Sequence, residues 1–562
     1  MMKNILDIKK TMIALLALFV ISACDDTLSE INVNPNGIDP STANPNLLMP
    51  AVLAPAAQDY LQLGFENMAG AVQHTQKDGW YSAHNHYAWS ASDWNGWYGM
   101  LRTNDLMEER AIELEYPFFE GVALTMKSFI YGNVTDIWGD APYTNAVKGD
   151  EGGEANEYPI FDSQEVIYNG ILADLKTAAA IFENAETDVV NSSADLYFGG
   201  DAEMWQRFAN SLLLRYYMRV SAKMPDMARQ GIEEVYNSGM YLQSADQDVT
   251  LDYTGGSDDV WPSIYTDVDA FTRWQACETL VDQMVSTDDP RISVWFDPVA
   301  VQWVADPDLS VAVDSVIRAD GEFVADGSVT YTYLEFMDMR DTKFTRHFDP
   351  DEVTYDTGLY VGLPPGLVLP ESYNGNPDPG QGIRNQHVSQ LAPIYATAGS
   401  PGDILKARII SAAEVSFILA EAALKGWNVG SAEEHYNNAI QQSLNTWGKG
   451  DEYDAFIAQP GVAFDGTLEQ LITQKWVASW TAATEAWNDY RRTGFPALEV
   501  GPASDQPVVA LRYPYGNDEL NNNTSNVNSA IDRLEVTQYS GSVGADSPWS
   551  KMWLLQGTNA PW

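Results

Sequence analysis

SAAEVSFILAEAALKGWNVGSAEEHYNNAIQQSL, residues 411–444, is the stretch that decides the fold. Apolar residues recur in it at three- and four-residue intervals on either side of a short turn, the pattern of two antiparallel amphipathic helices. Ala420, Ala432 and Ala439 are small where the two helices face each other, which lets their backbones approach closely. Tyr436 fills the space that the small residues leave. Packing accounts for all of these positions, so none of them needs a chemical role.

The order small, aromatic, small at Ala432, Tyr436 and Ala439, with Leu419 and Ala420 ahead of it, makes this a tetratricopeptide-like unit. Working towards the N-terminus, residues 47–240 read as further amphipathic helices joined by loops. They include SDWNGWYGMLRTNDLMEERAIEL, EGVALTMKSFIYGNVTDIW closing on GDAPYTNA, SQEVIYNGILADLKTAAAIFENA, and a helical hairpin broken at Pro225. A mainly α chain of helix pairs is therefore expected. Between residues 243 and 406 the pattern gives way to Gly/Pro/Asp-rich stretches such as DYTGGSDDVWPS and YVGLPPGLVLPESYNGNPDPGQG, with apolar runs short enough for small β hairpins. Loops of that length inside a compact chain usually serve function, which places the ligand on this loop-rich insertion.

The chain of 562 residues is 45% hydrophobic and 20% charged, enough to bury a large core and too apolar for wholesale disorder. Its 31 Lys+Arg against 79 Asp+Glu give a net charge of −48, spread along the sequence rather than held in a tail. Such a surface repels phosphate backbones, so nucleic acid is excluded as a partner, and it suits neutral or cationic ligands.

The N-terminus carries an export signal. Lys3, Lys9 and Lys10 precede the apolar run TMIALLALFVISA, residues 11–23, which is too short to span a bilayer. Ile21, Ser22, Ala23 and Cys24 resemble a bacterial lipobox, in which the Cys becomes acylated after cleavage of residues 1–23. That cleavage removes three Lys and one Asp and leaves a net charge of −50. Residues 24–46, rich in Asn, Pro and acids, read as a lipidated flexible tether. Asp25 and Asp26 resemble the signal that sends lipoproteins of the Bacteroidota to the outer face of the outer membrane. With Cys24 acylated, Cys277 has no partner, so stability must come from packing rather than a disulfide.

No HExxH, CxxC, Gly-x-Ser-x-Gly or phosphate-cradling loop is legible, and six His lack chelating spacing. His84 and His86 could share a face of an extended loop, but no third ligand accompanies them. Glu414, Glu421 and Glu485 lie in apolar helical runs and read as ion-paired or solvated rather than catalytic, and Arg491 and Arg492 as bonding carbonyls or acids within the fold. Asp288 and Asp289 before Pro290 mark a helix-ending turn. No cofactor is expected; a structural calcium ion that steadies the loops stays open, without support from the sequence.

The aromatic supply says more. Trp80, Tyr81, Tyr87, Trp89, Trp94, Trp97 and Tyr98 crowd a short segment that also holds His, Asn85 and Asp. Flat aromatic faces cover the C–H side of a sugar ring while Asn, Asp and His bond its hydroxyls. Trp94, Trp97, Tyr98 and Leu101 have helical spacing and are expected to pack inward. Trp80, Tyr81, Asn85 and Trp89 have no such period and are the first group of candidate ligand contacts. Trp261, Tyr265 and Trp274 in the insertion form a second group, and Trp303 is a weaker third candidate.

Several landmarks together resemble the SusD/RagB family: the lipobox at Cys24, WGDAPYTNA (138–146), LVDQMVSTDDPRI (280–292), YVGLPPG (360–366), AEVSFILAEAALKGW (413–427), EAWNDYRRTGFPAL (485–498) and RYPYGNDELNNN (512–523). The resemblance runs in order through the whole mature chain. It implies a single SusD-like domain over residues 47–562, in which four tetratricopeptide-like helix pairs form a right-handed superhelical scaffold. Within it, 47–242 would be the N-terminal helical half, 243–406 the ligand-side insertion, 407–498 the C-terminal helix pairs and 499–562 an irregular closing segment. It further implies a surface lipoprotein without catalytic activity that captures a glycan and acts as the hinged lid of a SusC-like TonB-dependent outer-membrane transporter. In the family, pockets are built from the two regions that hold the candidate aromatics. The acidity tilts the expectation towards a neutral glucan. Peptide or another nutrient is the alternative within transport; a glycoside hydrolase and a purely structural repeat scaffold are further ones.

Overall fold

The computed structural model describes residues 42–253, 273–319, 322–326, 341–377, 384–396 and 404–562. Cys24, Trp261 and Tyr265 lie outside them. The main helices are α1 (Pro45–Gln62), α2 (Asn95–Glu113), α3 (Pro117–Trp138), α4 (Gln164–Phe182), α5 (Ala202–Arg219), α6 (Pro225–Ser238), α7 (Glu278–Ser286), α8 (Ala412–Leu424), α9 (Ala432–Thr446), α10 (Leu468–Ala478) and α11 (Ala483–Thr493). The chain is mainly α. Consecutive helices pack on each other from α2 through α6, and α8 packs on α9 and α10.

Local chemistry sets the helix ends. Asn44 Oδ1 accepts from the Asn46 amide at 3.0 Å, and Pro45 occupies the first helical position, so α1 starts two residues before Leu47. Ser411 and Ser431 cap α8 and α9 in the same way, receiving the amides of Glu414 and Glu434. Within that pair Ala420, Tyr436 and Ala439 are fully buried, and Tyr436 Oη donates to Val462 O at 2.7 Å. The small-aromatic-small reading thus describes the contact. Elsewhere glycine makes the approach: a Cβ on Gly132 of α3 would lie 2.0 Å from Tyr216 Oη of α5. α3 is apolar nearly all round and runs through the core.

Buried ion pairs tie the two helical halves together. Arg215 and Arg219 of α5 reach Glu414 of α8 at 2.7 Å and Glu485 of α11 at 2.6 Å, and Arg219 also reaches Asp136 of α3 at 3.2 Å. Arg492 grips Glu421 at 2.5 Å and Asp489 at 2.9 Å, while Lys475 meets Asp489 at 2.7 Å. Arg491 donates to the carbonyls of Asp136 and Leu511 at 2.7 and 2.8 Å. Burial opposes the charge on Asp489, yet Lys475 and Arg492 bring its pKa down to about 2.

The strands are β1 (Thr75–Lys77), β2 (Ala141–Pro142), β3 (Phe161–Asp162), β4 (Val249–Leu251), β5 (Trp274–Ala276), β6 (Val301–Ala305), β7 (Val316–Ala319), β8 (Glu322–Asp326), β9 (Phe344–Phe348) and β10 (Ala407–Ile410). In the insertion they form a four-stranded sheet in the order β6, β9, β7, β8. Small hairpins are expected there; among the described residues β7–β8 is such a pair, and β6 runs parallel to β9. Two further ladders, β1–β5 and β4–β10, pair the insertion's ends with other parts of the chain. Trp303 on β6 is a correction to the candidate list. It is 2% exposed, stacked against Tyr355 at 4.5 Å and His387 at 4.3 Å, and its Nε1 donates to Asn374 O. It belongs to the core of the insertion.

Candidate ligand-binding site

The site begins where α1 ends. The α-helical ladder of α1 loosens into a π-helical stretch over Leu63–Met68, an irregularity that often accompanies functional sites. Gly64 there presses against the backbone of Thr481 and Ala483, which fixes the segment and turns Glu66 and Asn67 outward. β1 follows and pairs antiparallel with β5, setting Lys77 opposite Trp274. This ladder brings a strand of the insertion against the segment that precedes α2.

Trp80, Trp89 and Trp274 meet at one cleft of about 480 Å³. Trp80 is its rim, 59% exposed, and its backbone is held at φ +50°, a left-handed conformation that costs an ordinary residue about 1–2 kcal/mol. Trp89 is a buried wall, its Nε1 donating to Ala83 O at 3.0 Å and its ring tilted against Tyr513 at 4.7 Å. Trp274 lies beneath the cleft, 2% exposed, stacked on Phe65 at 5.5 Å with the Lys77 ammonium 4.9 Å from its ring centroid. Also lining the cleft are Asp59, Gln62, Glu66 and Asn67 from α1 and its π-helical extension, and Asp93 from the segment entering α2. Burial raises the pKa of Asp59; burial also raises that of Glu66, against a hydrogen bond from Gln62 and the charge of Lys77. Aromatic rings and hydrogen-bond acceptors lining one cleft can hold a ligand that is apolar on its faces and rich in O–H or N–H donors at its edges.

Asn85 and Tyr81 fall outside the cleft. Asn85 is fully buried, and its amide receives the Lys77 N–H at 2.9 Å and donates to Lys77 O at 2.7 Å. It holds β1 in place and has no free edge for a ligand. Tyr81 lies against His86 and donates to Val368 O at 3.5 Å. The two His do not share a face, because Ser82–Asn85 is a helical turn rather than an extended strand. His84 is committed to Glu66 O and Thr75 Oγ1, and His86 to Leu367 O. Among the described residues no group of three or more His, Cys, Asp or Glu is placed to hold a metal ion.

The sequence reading missed Asp59, Gln62 and Glu66, although their three- and four-residue spacing puts them on one polar face of the first helical stretch. It also assigned Trp97 to the core alone, whereas this buried ring also borders the cleft.

The family described as "starch-binding associating with outer membrane", SusD-like, matches residues 38–308 and 297–516 of the sequence. The chain is a member of the SusD-like family. Solved structures agree on the fold. An outer membrane protein of Bacteroides vulgatus, described as probably involved in nutrient binding, is 20% identical, with 92% of this chain and 100% of that one covered at a TM-score of 0.69. A SusD-like protein of Bacteroides thetaiotaomicron is 21% identical over 91% of this chain and 98% of that one, at a TM-score of 0.64. A chitin-binding SusD homolog from Flavobacterium johnsoniae is 19% identical over 91% and 99%, at a TM-score of 0.64. No curated protein matches. SusD-like proteins are nutrient-binding proteins associated with the outer membrane, and among the described residues of this SusD-like chain no helix is long and apolar enough to cross a membrane.

Proposed function

We propose that the cleft between Trp80, Trp89 and Trp274 captures a neutral glycan, a glucan in the first instance, and that the protein binds it without chemical change. The convergence of these three rings with Asp59, Glu66 and Asp93 at one cleft, where Trp80 is exposed, carries the reading. A pyranose presents axial C–H groups to an aromatic face and equatorial hydroxyls to carboxylate and amide acceptors, the two chemistries that line the cleft. The acidic lining disfavours a uronic-acid polymer by like-charge repulsion. The volume of about 480 Å³ lies in the range of small-ligand sites and suits a short stretch of chain. Family membership and the chitin-binding relative support a glycan over a peptide.

In this reading the protein is anchored through an acylated Cys24 to the outer face of the outer membrane. It serves as the lid of a SusC-like TonB-dependent transporter, to which it passes the glycan. Delivery requires affinity modest enough for release, since residence time is set mainly by the dissociation rate. No cofactor enters the cycle.

Affinity gel electrophoresis against soluble starch, other neutral glucans, chitin oligosaccharides and polygalacturonate tests it. Retardation by a neutral glycan is expected, weakened by about tenfold in Trp80→Ala, which removes one stacking face. Trp80 is largely exposed, so the melting temperature should not move. Absence of retardation by every neutral glycan, or retardation indifferent to Trp80→Ala, would sink the proposal.

A further inference from the structure

α2 borders a second concavity beyond the cleft. Where Gly96 and Trp97 face the cleft, Asn104, Asp105 and Glu108 farther along the helix line a separate cavity of about 300 Å³, closed by Lys127 and Tyr131 of α3 and by the segment around Tyr143. Acceptors dominate its wall. Asn104 is 1% exposed; its Nδ2 donates to Ala123 O at 2.9 Å, and its carbonyl Oδ1 is buried without a hydrogen-bond partner. Glu108 Oε2 is likewise buried without one, its nearest cation being Lys127 Nζ at 3.8 Å. That ammonium sits closer to Asp174, at 3.2 Å, which also accepts from Tyr143 Oη at 3.4 Å. The rings of Tyr131 and Tyr143 meet edge to face at 4.6 Å and supply an aromatic wall.

Buried oxygens without donors are costly, and a site that holds them is made for a group that donates. Three carboxylates, Asp105, Glu108 and Asp174, face two lysines, Lys127 and Lys148, so the lining is short of positive charge. Burial raises the pKa of both Asp105 and Glu108, in keeping with that shortage. A metal ion is disfavoured, since these groups are not close enough together to ligate one. A guanidinium would need a carboxylate in its plane for paired bonds, whereas an ammonium is a compact charge with three donors that can turn to acceptors in different directions. Tyrosine faces tolerate such a cation.

We propose that this cavity is a binding site for a primary alkylammonium group, separate from the glycan cleft. The same chemistry is carried by a lysine side chain of a protein partner and by a free amino sugar. Calorimetry of the purified protein with Nα-acetyl-lysine amide and with glucosamine tests it, beside Nα,Nε-diacetyl-lysine amide and N-acetylglucosamine as neutral counterparts. Saturable binding of at least one ammonium probe is expected, about tenfold weaker or more for its neutral counterpart and in Asp105→Asn, and weaker at high salt. Response to the lysine derivative alone assigns a protein partner; response to glucosamine assigns a free amine. Trp80→Ala should leave this binding intact even where it abolishes glycan retention, which keeps the two sites distinguishable. Asp105 is partly exposed, and a melting curve verifies that its variant folds. Equal binding of the neutral probes, binding unmoved by both Asp105→Asn and Glu108→Gln, or a cavity that takes up only solvent at about 10 mM probe would overturn the proposal.

Discussion

Trp80 and Trp303 lie in similarly irregular sequence and end in opposite places. Trp80 stands out from the rim of the cleft, while Trp303 is sandwiched between Tyr355 and His387 with its indole N–H satisfied. Truncation of a ring so enclosed leaves a cavity, and Trp303→Ala should cost about 3–5 kcal/mol of stability, read as a lowered urea midpoint. Glycan retention at permissive temperature should be unchanged, because the ring lines no part of the cleft; lost retention in a folded variant would place it in the site. Asn85 teaches the same lesson for a polar residue. Its side chain has the right chemistry for sugar hydroxyls, but the backbone of Lys77 takes both ends of it. Residue type selects what a side chain can bond, and its neighbours decide what it does bond.

At the scale of elements, α5, α8, α11 and α3 are joined less by apolar ridges alone than by charges buried at their crossing. Glu485 of α11 is the shared acceptor, lying 2.6 Å from Arg219 and 3.7 Å from Arg215. Burial opposes its charge, and the two guanidinium groups hold its pKa below the ordinary value. Glu485→Ala would leave Arg219 facing Asp136 with one acid fewer, and removal of one partner from a buried cluster typically costs about 3–5 kcal/mol. Denaturant unfolding should therefore show a large drop in midpoint, and a shift within error of wild type would mean that water or relaxation replaces the pair. The motif AEVSFILAEAALKGW thus carries two kinds of information. Its alanines mark the helix contact, which was legible from spacing. Its acids, read as solvated or paired, are paired inside, a distinction that needs Arg215, 199 residues before Glu414, and Arg492, 71 residues after Glu421.

For the whole molecule, pH separates buried from exposed titration. Burial holds His74, His84 and His387 neutral with pKa values of about 3, whereas an unfolded chain protonates them near pH 6.5. Below pH 6.5 the unfolded state binds more protons, so the stability these groups contribute at neutral pH is lost as pH falls towards 3. At pH 4.5 the three together amount to about 8 kcal/mol of lost stability as an upper figure. Asp78 and Asp248 work the other way. Burial raises each to about 6 against the charges of Arg273 and Arg408, so protonation between pH 6 and 4.5 returns about 4 kcal/mol. Asp136, Asp140 and Glu414, whose pKa values burial also raises, act in the same sense as Asp78 and Asp248, and the histidines are expected to outweigh them between pH 7 and 4.5, visible as a falling urea midpoint. A midpoint that stays level or rises across that window would show that relief of self-repulsion in a chain of charge −48 outweighs the histidines.

By itself, the sequence determined the mainly α class, the helix pairs and the crowding of aromatics near residues 80–98, because these are local: spacing, caps and small residues act between positions a few residues apart. It could not tell rim from core among those aromatics, nor place Asp59, Glu66 and Trp274 on one cleft with Trp80. That required the antiparallel pairing of β1 with β5, which sets Lys77 opposite Trp274 across nearly two hundred residues. The same holds for the cavity beside α2, where Asn104 Oδ1 matters only because α3 buries it and offers it no donor. Local periodicity is a property of the chain, whereas convergence and burial depend on which surfaces meet, and only the tertiary structure decides that.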